Sequence, residues 1–158
     1  MSERLCVIAL GGNLGPVPQT FRRALEALSR AGFRIRRVSS FRVTKAVDCE
    51  PGAPDFLNAA VSGWWSGEAL ALLALCQRIE AENGRPRSHA YHVSRTLDLD
   101  LILFGDESIR TQRLFVPHPR AAERDFVMDP LREIEPDLVE RVAGGRPPAP
   151  SASERRLS

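Results

Sequence analysis

At 158 residues and 17.5 kDa the chain is long enough for one domain with its own core, and 43% hydrophobic residues suit a soluble globular protein. No apolar run reaches the roughly 18 residues that a membrane-spanning helix needs, and a net charge of only +2 argues against a general nucleic-acid binder. Cys6, Cys49 and Cys76 are odd in number and widely spaced, which predicts reduced thiols in a cytoplasm rather than a disulfide framework or a zinc site.

Met1–Arg4 leads straight into an apolar run, without the basic region and small-residue cleavage site of a signal peptide. Leu5–Leu10 reads as a buried strand closed by Gly11-Gly12-Asn13-Leu14-Gly15. Pro16 and Pro18 then precede a helix with Phe21, Ala24, Leu25 and Leu28 on one face, and Gly32 stops it. Residues 34–43 predict a second strand, Thr44–Pro54 a mobile loop, and Phe56–Trp65 a third strand. Ser66 can cap a helix over about 67–83, with Leu72, Leu73, Cys76 and Ile79 as its core stripe.

After Asn83-Gly84 a polar, arginine-bearing loop leads to the strand DLDLILF at 98–104. A short hairpin over about 107–116 and a helix around 122–133 follow. The tail is rich in Pro, Ser, Ala and Arg and predicts disorder over 143–158, leaving 1–142 as the single domain. The order β-α-β-β-α-β with an appendage predicts an α+β fold, a ferredoxin-like antiparallel sheet with two helices on one face.

Asp98 and Asp100 are the oddity of the chain, two carboxylates inside an apolar strand. Burying such groups without partners is costly. Residues two apart in a strand share a face, with Cα atoms roughly 7 Å apart. Asp98, Asp100, Ile102 and Phe104 are therefore expected on one face, and Leu97, Leu99, Leu101 and Leu103 on the helix-covered one. The pair can hold a hard cation or two; the plainer reading is a pair answered by arginines alone. Lys45 is the only lysine among 22 basic residues, so any phosphate site must be built from guanidinium groups, which grip oxyanions bidentately. Arg85, Arg87 and Arg95 precede the acids, and the combination describes a polyphosphate site. GGNLG is neither GxxxxGK[ST] nor GxGxxG, so metal and arginines would have to hold the phosphates.

Taken in order, ALGGNLG, SSF at 39–41, PDFLNAAV at 54–61, QRIEAENGRPR at 77–87, RTLDLDLILFG at 95–105, VPHPR at 116–120 and RDFV at 124–127 resemble the 6-hydroxymethyl-7,8-dihydropterin pyrophosphokinase family over about residues 5–140. The resemblance implies transfer of the β,γ-pyrophosphoryl group of MgATP to the primary alcohol of a reduced pterin, releasing AMP, in folate biosynthesis. It implies that Asp98 and Asp100 ligate two Mg²⁺ ions and that Arg85 and Arg95 clamp the transferring group. Gln77, Glu80, Arg87, Arg113, His118 and Arg124 fall on ATP-side positions, and Thr44, Phe56, Asn58 and Phe126 on pterin-side ones. The asparagine amide offers the donor and acceptor that a pyrimidinone edge requires, and Phe126 would sandwich the ring. By themselves, Gln77 and Glu80 read as a solvated helix face, His118 as a turn residue between prolines, and Phe56 and Phe126 as core. A monomer acting on small molecules, with no nucleic acid or membrane partner, is the expectation.

Departures from the family pattern cluster in two loops. His92-Val93-Ser94 stands where a Trp-Gly-Pro lid is usual, leaving His92 as the lid residue, and Thr44–Val47 replaces a proline-bearing run. Phe115 replaces a small hydroxyl residue. A divergent paralogue acting on a related heterocyclic alcohol is one alternative. A metal-dependent phosphodiesterase would need further acidic ligands, and an RNA-binding module would need an RNP1-like string, which is absent.

Overall fold

In the computed structural model, which describes residues 2–46, 51–84 and 96–144, an antiparallel sheet is built from β1 (Arg4–Gly12), β2 (Arg34–Val38), β3 (Arg42–Thr44), β4 (Phe56–Trp65) and β5 (Asp98–Phe104). The order across it is β2-β4-β1-β5, with β3 also pairing β4. Helices α1 (Val17–Arg30) and α2 (Ala69–Glu82) interrupt the strands. Beyond β5 come a two-stranded hairpin of β6 (Ile109–Arg110) and β7 (Phe115–Val116), a 3-10 turn at Ala121–Glu123, α3 (Asp125–Ile134), a second such turn at Pro136–Leu138, and α4 (Val139–Gly144). The class is α+β, as expected. Among the described residues no helix is long and apolar enough to cross a membrane.

Alternation sorts the central strands into two faces. Cys6, Ile8 and Leu10 of β1, with Ala59 and Val61 of β4, pack against Phe21, Ala24 and Leu28 of α1 and Leu72, Leu75, Cys76 and Ile79 of α2. Pro18 lies in the first turn of α1, where its missing N–H costs nothing. Gly32 follows α1 at φ +103°, a conformation that glycine adopts freely. Val7, Ala9 and Ala60 face the other way, under Val127, Met128, Leu131 and Ile134 of α3 and Val142 of α4. The expected appendage is thus a second layer.

Several sequence expectations need correction. The single strand over 34–43 is two strands, because the chain breaks at Ser39: its N–H donates to the Ala60 carbonyl (2.9 Å) while its Oγ accepts from the Ala60 N–H (2.9 Å). Ser66 does not cap α2, which starts at Ala69 after Glu68, without a side-chain cap. Leu73 is half-buried, and Leu75 takes the core position assigned to it. The face assignment of β5 fails at its end. The β1–β5 register shifts between Val7 and Ile8, pairing Val7 with Leu103 but Ile8 with Leu101. That irregularity turns Leu103 toward α3 and Phe104 into the α1–α2 core. Asp98 and Asp100 precede it and keep the expected face.

Candidate active site

One row of paired residues crosses the α3-side face of the sheet: Arg42 opposite Asn58, Asn58 opposite Gly11, Gly11 opposite Asp98. The next row places Ala60 opposite Ala9 and Ala9 opposite Asp100. With strands about 4.8 Å apart, Asn58 and Asp98 stand roughly 10 Å from one another across a floor of glycine and alanine. A side chain at Gly11 would put its Cβ 3.4 Å from Asn58 Oδ1. Gly12 is needed for a different reason, since a Cβ there would fall 2.6 Å from the Thr96 carbonyl oxygen, where the chain enters β5. α3 packs over Val7, Ala9, Ala60 and Ile102 on the same face.

Each rim is held by specific bonds. Asn58 is 5% exposed, and its Nδ2 donates to Thr44 Oγ1 at 2.7 Å. Phe56, half-buried and two residues before Asn58 on β4, pairs with Thr44. At the opposite rim, Leu99 sits between the two aspartates, and its N–H donates to Glu80 Oε2 at 2.7 Å. The end of α2 thus braces β5 where the carboxylates project. Thr96 Oγ1 donates to the Asn83 carbonyl at 2.7 Å and ties the start of β5 to the same helix end. Gln77 lies exposed one turn earlier on α2.

His118 lies beside β5, near Asp98. Its N–H donates to the Ile102 carbonyl at 2.9 Å, and its Nδ1 accepts from the Arg120 N–H at 3.3 Å, which leaves the imidazole proton on Nε2. Burial pushes its pKa from 6.5 down to about 4, aided by the positive charges of Arg124 and Arg120 and opposed by Asp98. Because the folded value lies below the ordinary one, folding favours the neutral ring. This contribution to stability is complete above about pH 6.5 and is lost as the pH falls toward 4. In an NMR titration the His118 ring resonances are expected to move with a midpoint well below 6.5; a midpoint at or above that value would contradict the described packing.

Arg124 occupies the N-cap position of α3 without a side-chain cap bond, and its guanidinium lies 5.7 Å from the Phe126 ring centre. Phe126 is 43% exposed, so it is not the core residue that its type alone suggests. Arg113 is exposed in the β6–β7 turn, its N–H donating to Thr111 Oγ1. Thr44, Phe56 and Asn58 thus stand on one side of the glycine–alanine floor and Glu80, Asp98 and Asp100 on the other, with His118 near Asp98 and Arg124, and Phe126 beside Arg124. Arg85, Arg87, His92 and Arg95 lie outside the described residues.

Sequence reasoning missed several polar residues around this tray. Asn13, 4% exposed, donates from Nδ2 to the Pro54 carbonyl at 2.9 Å, joining the β1–α1 turn to the end of the 44–54 loop. At the end of α3, Glu133 reaches Ser40 between β2 and β3, and Glu135, just past the helix, accepts from Ser62 of β4 and pairs with Arg36 of β2. The available signal was their position, since acids at a helix C-terminus oppose its dipole.

The comparisons with known proteins agree with one another. The family model described as 7,8-dihydro-6-hydroxymethylpterin-pyrophosphokinase matches residues 7–136. A Bacillus subtilis protein named 2-amino-4-hydroxy-6-hydroxymethyldihydropteridine pyrophosphokinase is 44% identical over 133 residues, covering 84% of this chain and 78% of that protein. Proteins of the same name from Synechocystis and Haemophilus influenzae are each 40% identical, covering 87% and 84% of this chain and 70% and 82% of their own lengths. The matched region runs from within β1 to the end of α3 and includes the floor and both rims of the tray, and the chain belongs to the 7,8-dihydro-6-hydroxymethylpterin-pyrophosphokinase family.

Proposed function

We propose that the tray is the active site of an ATP-dependent diphosphotransferase, which transfers pyrophosphate from ATP to the hydroxymethyl group of 6-hydroxymethyl-7,8-dihydropterin and releases AMP, in folate biosynthesis. Family membership supports the reaction. The observation that carries the site is the row Asn58–Gly11–Asp98: an amide and a carboxylate on opposite rims of a floor free of side-chain bulk. A flat bicyclic ring fits between them, with its hydroxymethyl arm directed toward the acids.

The donor set suits magnesium. Among the described residues no cluster of three or more His, Cys, Asp and Glu side chains could hold a metal alone. Mg²⁺ needs only one or two carboxylates when substrate phosphates and water complete its shell. In this reading Asp98 and Asp100 hold two Mg²⁺ ions with the triphosphate. When bound, the ions supply charge neutralisation on the phosphate oxygens.

The protein's own groups do the positioning. Glu80 keeps the backbone between the two acids fixed through Leu99. Neutral His118 presents an Nε2–H donor to a phosphate oxygen, and Arg124 adds a guanidinium. Asn58 reads the pyrimidinone edge and Phe126 covers the ring, with Phe56 and Thr44 at the rim. Gln77, Arg87 and Arg113 complete the nucleotide side, with Arg85 and Arg95 as the clamp on the transferring group and His92 on the lid. The displacement at the β-phosphorus is in line, so alignment and charge stabilisation are the main catalytic contributions. Free, buried Cys6 and Cys76 suit the reducing cytoplasm, and the enzyme is read as a monomer.

Mass-resolved AMP release from MgATP tests this reading. AMP and pterin diphosphate are expected in equal amounts, only when the pterin alcohol is added. AMP released at the same rate without it, or inorganic products alone, would refute it.

A further inference from the structure

β3 is an edge strand of three residues that pairs, among the described residues, with β4 alone. So short an element is weakly held by its ladder, yet it carries Thr44, the hydrogen-bond partner of Asn58. Its second anchor comes from the opposite layer. Glu133, next to last in α3, accepts from the Ser40 N–H (2.7 Å) through Oε2, and from Ser40 Oγ (2.7 Å) and Arg42 Nη2 (2.9 Å) through Oε1. Both oxygens are therefore engaged by the residues that lead into and begin β3. These bonds hold the carboxyl below its usual pKa, Ser40 contributing most and Arg42 less. A glutamate at a helix C-terminus works against the dipole, so its place there is explained by what it holds. Glu135 does a different job: it accepts from Ser62 Oγ at 2.6 Å and pairs with Arg36 at 3.2 Å, fixing α3 to β4 and β2.

We propose that Glu133 is a positioning residue for the pterin pocket, locking β3 so that Thr44 holds the Asn58 amide with Oδ1 over the Gly11 floor. One helix then sets both walls of the pocket: Phe126 directly at its start, and the Thr44–Asn58 pair through Glu133 at its end. The inference rests on the pterin-side reading of Asn58. It adds to that reading the device that fixes the amide before substrate arrives, which reduces the ordering cost of binding.

Steady-state kinetics of four variants test it. Glu133→Ala is expected to raise KM for the pterin about tenfold while kcat and KM for ATP stay within about twofold. Thr44→Val is expected to do the same, and Thr44→Ser, which keeps the hydroxyl, to remain near wild type. Since Glu133 acts through Thr44, the Glu133→Ala/Thr44→Val double variant should be no worse than Thr44→Val alone. A wild-type pterin KM in Glu133→Ala, whatever its melting temperature, would overturn the proposal, as would effects that multiply in the double variant. If Glu133→Ala does not fold, Glu133→Gln keeps the volume and one acceptor; a smaller rise in the same KM supports the proposal and no rise overturns it. Wild-type protein that forms no AMP with the pterin would instead remove the reading of the pocket itself.

Discussion

Asp98→Asn and Asp100→Asn are each expected to lower the rate of AMP formation by about a thousandfold or more, equivalent to about 4 kcal/mol of transition-state stabilisation. Asparagine keeps the size of the side chain and removes the charge that holds a hard cation. The backbone around both positions is secured independently, by pairing of Asp98 with Gly11 and Asp100 with Ala9 of β1 and by the Leu99 N–H bond to Glu80. The variants should therefore stay folded, and thermal melting alongside the rate assay separates lost chemistry from lost structure. In Asp98→Asn the His118 pKa should fall further, because Asp98 is the charge that opposes its depression. Wild-type rates in either variant would refute the assignment of the pair.

Asn58→Ala is expected to raise KM for the pterin about a hundredfold while KM for ATP changes little. Sites built to hydrogen-bond a polar edge lose most when one partner is removed, because the remaining groups are left buried and unpaired. Asn58 is 5% exposed, and its loss would strand the Thr44 hydroxyl as well. Equal weakening of ATP and pterin would show that the residue supports the fold rather than reads the ring.

The strands and helices with strong periodicity were legible in the sequence: β1, α1, β4, α2 and the start of β5 follow from alternating or helical spacing of apolar residues. What was not legible depends on contacts between layers. Residues 34–43 have the composition of one strand, and only the Ser39–Ala60 exchange, 21 positions apart, breaks it. The register shift opposite Val7 and Ile8 is set by pairing, so nothing in DLDLILF announces that Leu103 and Phe104 change faces. α3 was visible as a helix, but its place on the second face of the sheet was not. Asp98 and Asp100 stood out because carboxylates in an apolar strand need an explanation. Asn58 and Phe126 could be singled out only through the family resemblance, since by type alone they pass for ordinary strand and core residues. Glu133 escaped because its partners, Ser40 and Arg42, are 93 and 91 residues away.

The central claim is that the two acids of β5 carry magnesium and thereby seat the triphosphate. A crystal structure of the protein with magnesium and a non-hydrolysable ATP analogue tests it most directly. The expected result is metal at about 2.1 Å from carboxylate oxygens of Asp98 and Asp100, shared with the phosphate oxygens of the nucleotide. A nucleotide seated in the tray with both carboxylates bound only by arginines, or a nucleotide bound elsewhere, would contradict it.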